Sequence, residues 1–139
     1  MSAAPLDVFT FDRPLPYRPA FAAMERRVQA RIEDRVGDAL FLLEHEPVIT
    51  LGVRGREEHV RASTEELQTR GIARVAVNRG GEVTLHAPGQ WVLYPILKLT
   101  GAEASAAGHV RRLEEIALRT AGDFGVSAFR RRGLTGIWT

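Results

Sequence analysis

The sequence predicts an α+β (mixed α/β) fold within a single domain over residues 1–139. Three observations lead there. Short runs of strand character interleave with two stretches of helical periodicity. Several runs are separated only by turn residues, and no repeat, low-complexity tract or linker divides the chain. Short turns join neighbours as hairpins, so a doubly wound parallel sheet is not expected. At 139 residues such a domain buries roughly two thirds of the surface its unfolded chain exposes.

The elements follow in order. Residues 6–11 alternate apolar and polar side chains and read as a first strand, after which Pro14, Pro16 and Pro19 mark a loop. Over residues 20–35, Phe21, Met24, Val28 and Ile32 recur at steps of three and four, the apolar stripe of an amphipathic helix ending near Gly37. Residues 39–43 form an unbroken apolar run, as in a strand buried on both faces. A polar break at Glu44, His45, Glu46 and Pro47 precedes another extended segment over residues 48–51. Ser63, with Glu66 three positions on, is a capping box that opens a short helix closing at Gly71. Residues 75–77, 83–85 and 91–99 read as three further strands. Pro95 in the last of them lacks an amide donor and predicts a bulge or an edge position. Val110, Leu113, Ala117 and Ala121 give the stripe of a second helix over residues 108–122.

Composition narrows the function classes. An apolar share of 45% and a charged share of 26% are those of a soluble globular protein. No run approaches the ~20 apolar residues that span a bilayer, and residues 1–11 lack the basic and apolar regions of a secretory signal. A cytoplasmic location without membrane association is expected. The absence of cysteine rules out disulfides, thiolate metal ligands and a cysteine nucleophile within the chain. Lys98 is the only lysine among 19 basic residues, and the formal net charge is +2. Arginine forks suit phosphate and carboxylate recognition. Arg130, Arg131 and Arg132 read as a solvated turn. Without interleaved aromatics or a reader motif, nucleic acid is not an expected partner, and an acidic protein fits better.

The densest chemistry lies in residues 79–90. Arg79, Gly80 and Gly81 read as a β-hairpin turn in which both glycines can take positive φ. The same glycines let the backbone approach a ligand and leave amides free, with Arg79 anchoring the loop or a polar end of the ligand. The two readings are compatible. In the extended segment that follows, Thr84 and His86 share one face, while Val83 and Leu85 share the other and are expected to meet the core. His86 is then either a satisfied structural histidine or a site residue turned to a cleft. Pro88 and Gly89 fit the centre of a type II turn that would hold it. Glu44, His45 and Glu46 are expected to serve hydrogen bonding and turn formation, not a metal. His59 and His109 stand at no ligand spacing and count as surface residues. Residues 52–56 only weakly resemble a glycine-rich phosphate loop, and no nucleophile elbow or Ser/His/Asp arrangement can be picked out.

Residues 44–52, Arg79 to His86 with the following Pro88, Gly89 and Gln90, and Tyr94-Pro95-Ile96-Leu97 together resemble the octanoyltransferase family of lipoate biosynthesis. The arginine–glycine–glycine, threonine, histidine, proline–glycine–glutamine order is the specific part. The likeness runs through nearly the whole chain to Gly136, Ile137 and Trp138. It implies a fold like the catalytic domains of biotin and lipoate protein ligases, a mixed sheet flanked by helices. It also implies transfer of octanoyl from acyl carrier protein to a lysine of lipoyl domains, those of 2-oxoacid dehydrogenases and the glycine cleavage H protein. The acyl group passes through a cysteine thioester, with a lysine lowering the thiol pKa and no cofactor. By matching, the acyl-binding set is Arg79, Gly80, Gly81, Glu82, Val83, Thr84, Leu85 and His86.

In one respect the sequence departs from that family. The family's activating lysine and nucleophilic cysteine follow the equivalent of Gly136-Ile137-Trp138, whereas this chain stops at Thr139. Lys98 belongs to another segment. No catalytic residue is therefore assigned, the fold is expected to be incomplete at the C-terminus, and Ile137, Trp138 and Thr139 are expected to form an unpaired strand edge. Two alternatives stand beside an octanoyltransferase: a non-catalytic acyl-binding remnant or half of a split enzyme, and an ATP-dependent lipoate or biotin protein ligase.

Overall fold

A computed structural model describes residues 5–100 and 104–139. The chain divides into two compact units, Met1–Leu97 and Lys98–Thr139.

The first unit holds two three-stranded mixed sheets. One consists of β1 (Leu6–Thr10), β2 (Asp38–Leu43) and β6 (Val92–Ile96) in the order β1-β2-β6, with β1 parallel and β6 antiparallel to β2. The other consists of β3 (Val48–Leu51), β4 (Ala73–Ala76) and β5 (Val83–His86) in the order β4-β3-β5, with β4 parallel and β5 antiparallel to β3. Pro95 lies opposite Leu40 on β6, an edge strand of its sheet, where a missing donor is tolerated. The apolar run at 39–43 does not form a strand buried on both faces. Ala39, Phe41 and Leu43 are buried while the alternate residues are only half-buried, because α1 covers one face alone.

Helix α1 (Tyr17–Ile32) spans both sheets. Met24 packs with Ala39, Phe41, Leu43 and Ile96 of the first sheet, and Tyr17 packs with Val48 and Val75 of the second. Phe21 touches both clusters and joins the two cores. The buried face differs from the sequence stripe: Tyr17, Ala20, Met24 and Ala30 are inside, whereas Val28 and Ile32 are 41% and 67% exposed. The later turns meet the sheet through charge. Arg27 pairs with Asp7 and donates to the Gly37 carbonyl, and Arg31 pairs with Asp38 at 2.6 Å. Guanidinium groups reaching over a sheet edge rotate the apolar stripe away from it.

Short elements obey local chemistry. In α2 (Thr64–Thr69) the Ser63 hydroxyl accepts from the Glu66 amide at 3.1 Å, and the Glu66 carboxylate accepts from the Ser63 amide at 2.7 Å. Gly71, at φ 64°, ends that helix as expected. In the second unit, α3 (Ala106–Asp123) is capped by Ser105, whose hydroxyl accepts from the Gly108 amide. Residues 137–139 do not form an unpaired strand edge. Phe129 and Trp138 exchange backbone hydrogen bonds of 2.8 Å, which closes the intervening loop on itself. Arg130 bonds Glu114 and Glu115, and Arg131 lies over the Trp138 ring at 5.0 Å, while all three arginines of the run remain exposed. Among the described residues, no helix is long and apolar enough to cross a membrane.

Candidate functional site

A hairpin turn was expected at Arg79, Gly80 and Gly81, and strand order overturns it. β3 lies between β4 and β5, so the segment joining those two strands passes over the end of β3. Its carbonyls point inward: Glu82, Arg79 and Gly81 accept from the amides of Gly52, Val53 and Arg54 at 2.6, 3.0 and 3.1 Å. Only Gly81 takes positive φ, at 88°. Two turns are thereby clasped backbone to backbone. A Cβ on Gly52 would sit 2.6 Å from the Gly81 carbonyl oxygen and 2.9 Å from that of Arg79, so the approach requires glycine. The amides of residues 52–55 are all spent inside this clasp, which removes the phosphate-loop reading of that segment.

Arg79 serves the clasp as well. Its guanidinium bonds the Thr50 hydroxyl at 2.8 Å, the Thr50 carbonyl at 2.9 Å and the Gly80 carbonyl at 2.9 Å. Thr50 is completely buried, and Arg79 supplies the polar partner its burial demands. The Gly80 and Gly81 amides donate no hydrogen bond among the described residues. Glu82 directs its carboxylate towards His59, 3.8 Å away.

Along β5 the expected faces are exchanged. Val83 pairs with Leu51 and Leu85 with Ile49, on the side where Leu85 is 51% exposed. Thr84 and His86, opposite Thr50 and Val48, lie on the covered side that meets α1. As an edge strand, β5 leaves Leu85 at the margin, and α1 lies over the face with the polar residues. Sequence alternation marks two faces but cannot say which one another element covers.

The covered face ends in a cluster of four rings at the joint between the sheets. His45 lies between β2 and β3 and is completely buried. Its Nδ1 is 3.2 Å from the Leu15 carbonyl oxygen and its Nε2 is 2.8 Å from the Tyr94 hydroxyl. A carbonyl can only accept, so Nδ1 carries the proton and Tyr94 donates to Nε2. The ring is neutral and fully satisfied. Burial pushes its pKa below the ordinary histidine value; the Leu15 bond opposes this, and nearby His86 adds to it. Burial, reinforced by Tyr17 and opposed by Arg79, pushes the Tyr94 phenol up to about 12. Burial likewise raises Tyr17, against the pull of Arg79.

His86 lies 5.5 Å from His45 and 6.5 Å from Tyr17, ring to ring. Its Nδ1 donates to the Gln90 side-chain oxygen at 2.7 Å. Gln90 is held by the expected type II turn, in which Gly89 has φ 87° and the Gln90 amide bonds the Ala87 carbonyl at 3.1 Å. Glu44 accepts from the Gly89 amide at 2.6 Å and fastens that turn to the end of β2.

Beside this cluster a groove of about 540 Å³ runs between α1 and β6, its apolar floor of Met24, Val28, Tyr94 and Ile96 flanked by Glu25, Gln29 and Asn78. A polar hollow of about 490 Å³ lies among Arg54, Arg56, His59 and Glu82. Of residues 79–86, Glu82 lines the second hollow and none lines the first. Sequence reasoning gave Tyr17 no role, cited Thr50 and Tyr94 only within the motifs that carry the resemblance, and gave His45 only a turn's role. The one available signal was a histidine set between two apolar strands, where a polar ring needs partners on both nitrogens.

Against known proteins, the lipoyl protein ligase A/B catalytic domain matches residues 16–139. The octanoyltransferase of Chloroflexus aggregans is 45% identical over 122 residues, covering 88% of this chain and 55% of that protein. That of Acidobacterium capsulatum is 45% identical over 130 residues, covering 88% and 53%. The chain thus spans about half the length of the curated relatives it matches. Among solved structures, the bi-partite lipoate protein ligase of Thermoplasma acidophilum superposes with a TM-score of 0.65 at 14% identity, covering 91% of this chain and 48% of that one. A protein of the same organism solved with bound lipoic acid gives 0.64 at 13% identity, covering 92% and 52%. These likenesses match the expected lipoate-ligase-like mixed α/β fold, and the chain belongs to the lipoyl protein ligase A/B catalytic domain family.

Proposed function

We propose that this chain forms the acyl-binding part of a cytoplasmic octanoyltransferase of lipoate biosynthesis. The whole enzyme takes octanoyl from acyl carrier protein, holds it as a cysteine thioester and passes it to a lysine of lipoyl domains. Those of 2-oxoacid dehydrogenases and the glycine cleavage H protein are its acceptors. The observation that carries this reading is the ring cluster. It gathers the buried His45, held by Tyr94 and Leu15, with Tyr17 and His86 beside Arg79. A site of low polarity with a few fixed polar atoms suits an acyl thioester.

Within residues 79–86 the roles divide. Arg79, Gly80, Gly81 and Glu82 shape the loop, and the amides of Gly80 and Gly81 are candidate donors to a carbonyl oxygen. Thr84 and His86 face the acyl group, while Val83 and Leu85 support the strand from behind. The chain contains no cysteine, so the thioester sulfur has to come from residues other than these. The similarity to octanoyltransferases favours transfer over ATP-dependent ligation.

The test is to present the chain with octanoyl-acyl carrier protein and with the unacylated carrier. Tighter binding of the acylated form is expected, with no octanoyl adduct by intact-mass measurement. Equal affinity for the two carriers removes the acyl-site reading, and a stable adduct refutes the missing-sulfur argument.

A further inference from the structure

We infer that Glu44 and Gln90 are positioning residues for His86, a relay that holds its ring in one orientation as the Nδ1–H tautomer. The inference rests on the reading in which His86 faces the bound substrate, and it adds two residues outside 79–86. Topology is the first support. Among the described residues, consecutive strands change sheet twice, from β2 to β3 through residues 44–47 and from β5 to β6 through residues 87–91. Each crossing carries or adjoins a histidine, His45 in the first and His86 at the end of β5, and the rings stand 5.5 Å apart. Glu44 fastens one crossing to the other, because its carboxylate accepts from the Gly89 amide at 2.6 Å. Its own backbone is fixed in turn, since the Glu44 carbonyl accepts from the Leu15 amide at 2.9 Å.

Hydrogen bonding is the second support. The positive φ of Gly89 turns the chain back, so that the Gln90 side-chain oxygen meets Nδ1 of His86 at 2.7 Å. Which imidazole nitrogen carries the proton is set by the bond that one of them makes. Among the described residues the His86 ring makes no other hydrogen bond, so Gln90 alone selects the tautomer. The Arg79 guanidinium, the nearest cation, is occupied by Thr50 and Gly80 and does not compete. Glu44 then acts at one remove, by keeping the turn that presents Gln90. With Nδ1 spent on this tether, Nε2 is the nitrogen left to accept from a donor group of the substrate.

The experiment reads the imidazole nitrogens of the 139-residue chain by nitrogen-15 NMR at about pH 8, where an ordinary imidazole is neutral. Wild-type His86 should show a protonated Nδ1 and a bare Nε2. Gln90→Ala and Glu44→Ala should each shift the ring towards the Nε2–H form that a free imidazole prefers. Glu44→Gln keeps an oxygen for the Gly89 amide and should restore the Nδ1–H signature. Unchanged His45 resonances, held by Leu15 and Tyr94, report that each variant is folded. In parallel, the preference for octanoyl-acyl carrier protein over the unacylated carrier should fall roughly fivefold in both alanine variants and return in Glu44→Gln. A wild-type ring protonated on Nε2, or folded alanine variants that keep the Nδ1–H signature, overturns the relay. A carrier preference that survives in that case leaves the acyl-site reading standing. If the wild-type chain does not distinguish the carriers, the acyl-site reading falls and the tautomer alone decides the relay.

Discussion

Gly52 shows how one missing Cβ can hold two loops together. Three amides of the 52–54 turn donate into the 79–82 segment, and a methyl at Gly52 would meet two of the accepting carbonyls inside contact distance. Gly52→Ala should cost about 2–4 kcal/mol of unfolding free energy by forcing the clasp apart. Gly80→Ala, where an added Cβ meets nothing within 4 Å, should change stability by less than about 0.5 kcal/mol. Urea denaturation of the two variants checks the contrast. His45 makes a pH prediction. Its folded pKa lies below its unfolded value of about 6.5, so below that pH the unfolded chain binds the extra proton. Stability from this group is complete above about pH 7 and falls as the pH drops through ~6.5 towards the folded value. Urea midpoints between pH 5 and 8 should show this slope, and His45→Gln should flatten it.

Among the elements, α2 is six residues long and depends on its cap. Both halves of the box are made, and the Ser63 bonds hold the Glu66 carboxyl below the usual carboxylate range. Ser63→Ala should cost about 1 kcal/mol, read as a lower denaturation midpoint and faster amide exchange over Thr64–Thr69. Helix α1 tells a different story at the same scale. A helix over 20–35 was legible from periodicity, yet it runs over Tyr17–Ile32 with Pro19 in its first turn, and its buried face was not legible. Arg27 and Arg31 engage the acidic residues at the strand starts, and the apolar stripe rotates to leave Val28 beside the groove. Periodicity counts apolar residues and is blind to long cations that reach back over a sheet edge.

Among the described residues of the molecule, both hydrophobic clusters and all six strands lie within residues 1–97. A polypeptide of residues 1–97 should therefore fold by itself, with dispersed amide resonances and a single cooperative unfolding transition. A collapsed spectrum would show that residues 98–139 are needed for that core.

The sequence by itself determined the short-range features. The capping box, the type II turn at Pro88 and Gly89 and the succession of helices and strands all follow from residues a few positions apart. It also determined the family, through the order of residues 79–90. Tertiary structure alone decided that β3 separates β4 from β5, that Arg79 completes Thr50 across 29 residues, and that His45 finds Tyr94 across 49. Those partners depend on which faces other elements cover. A local pattern can specify that two faces exist, but burial is settled only when the rest of the chain packs against one of them.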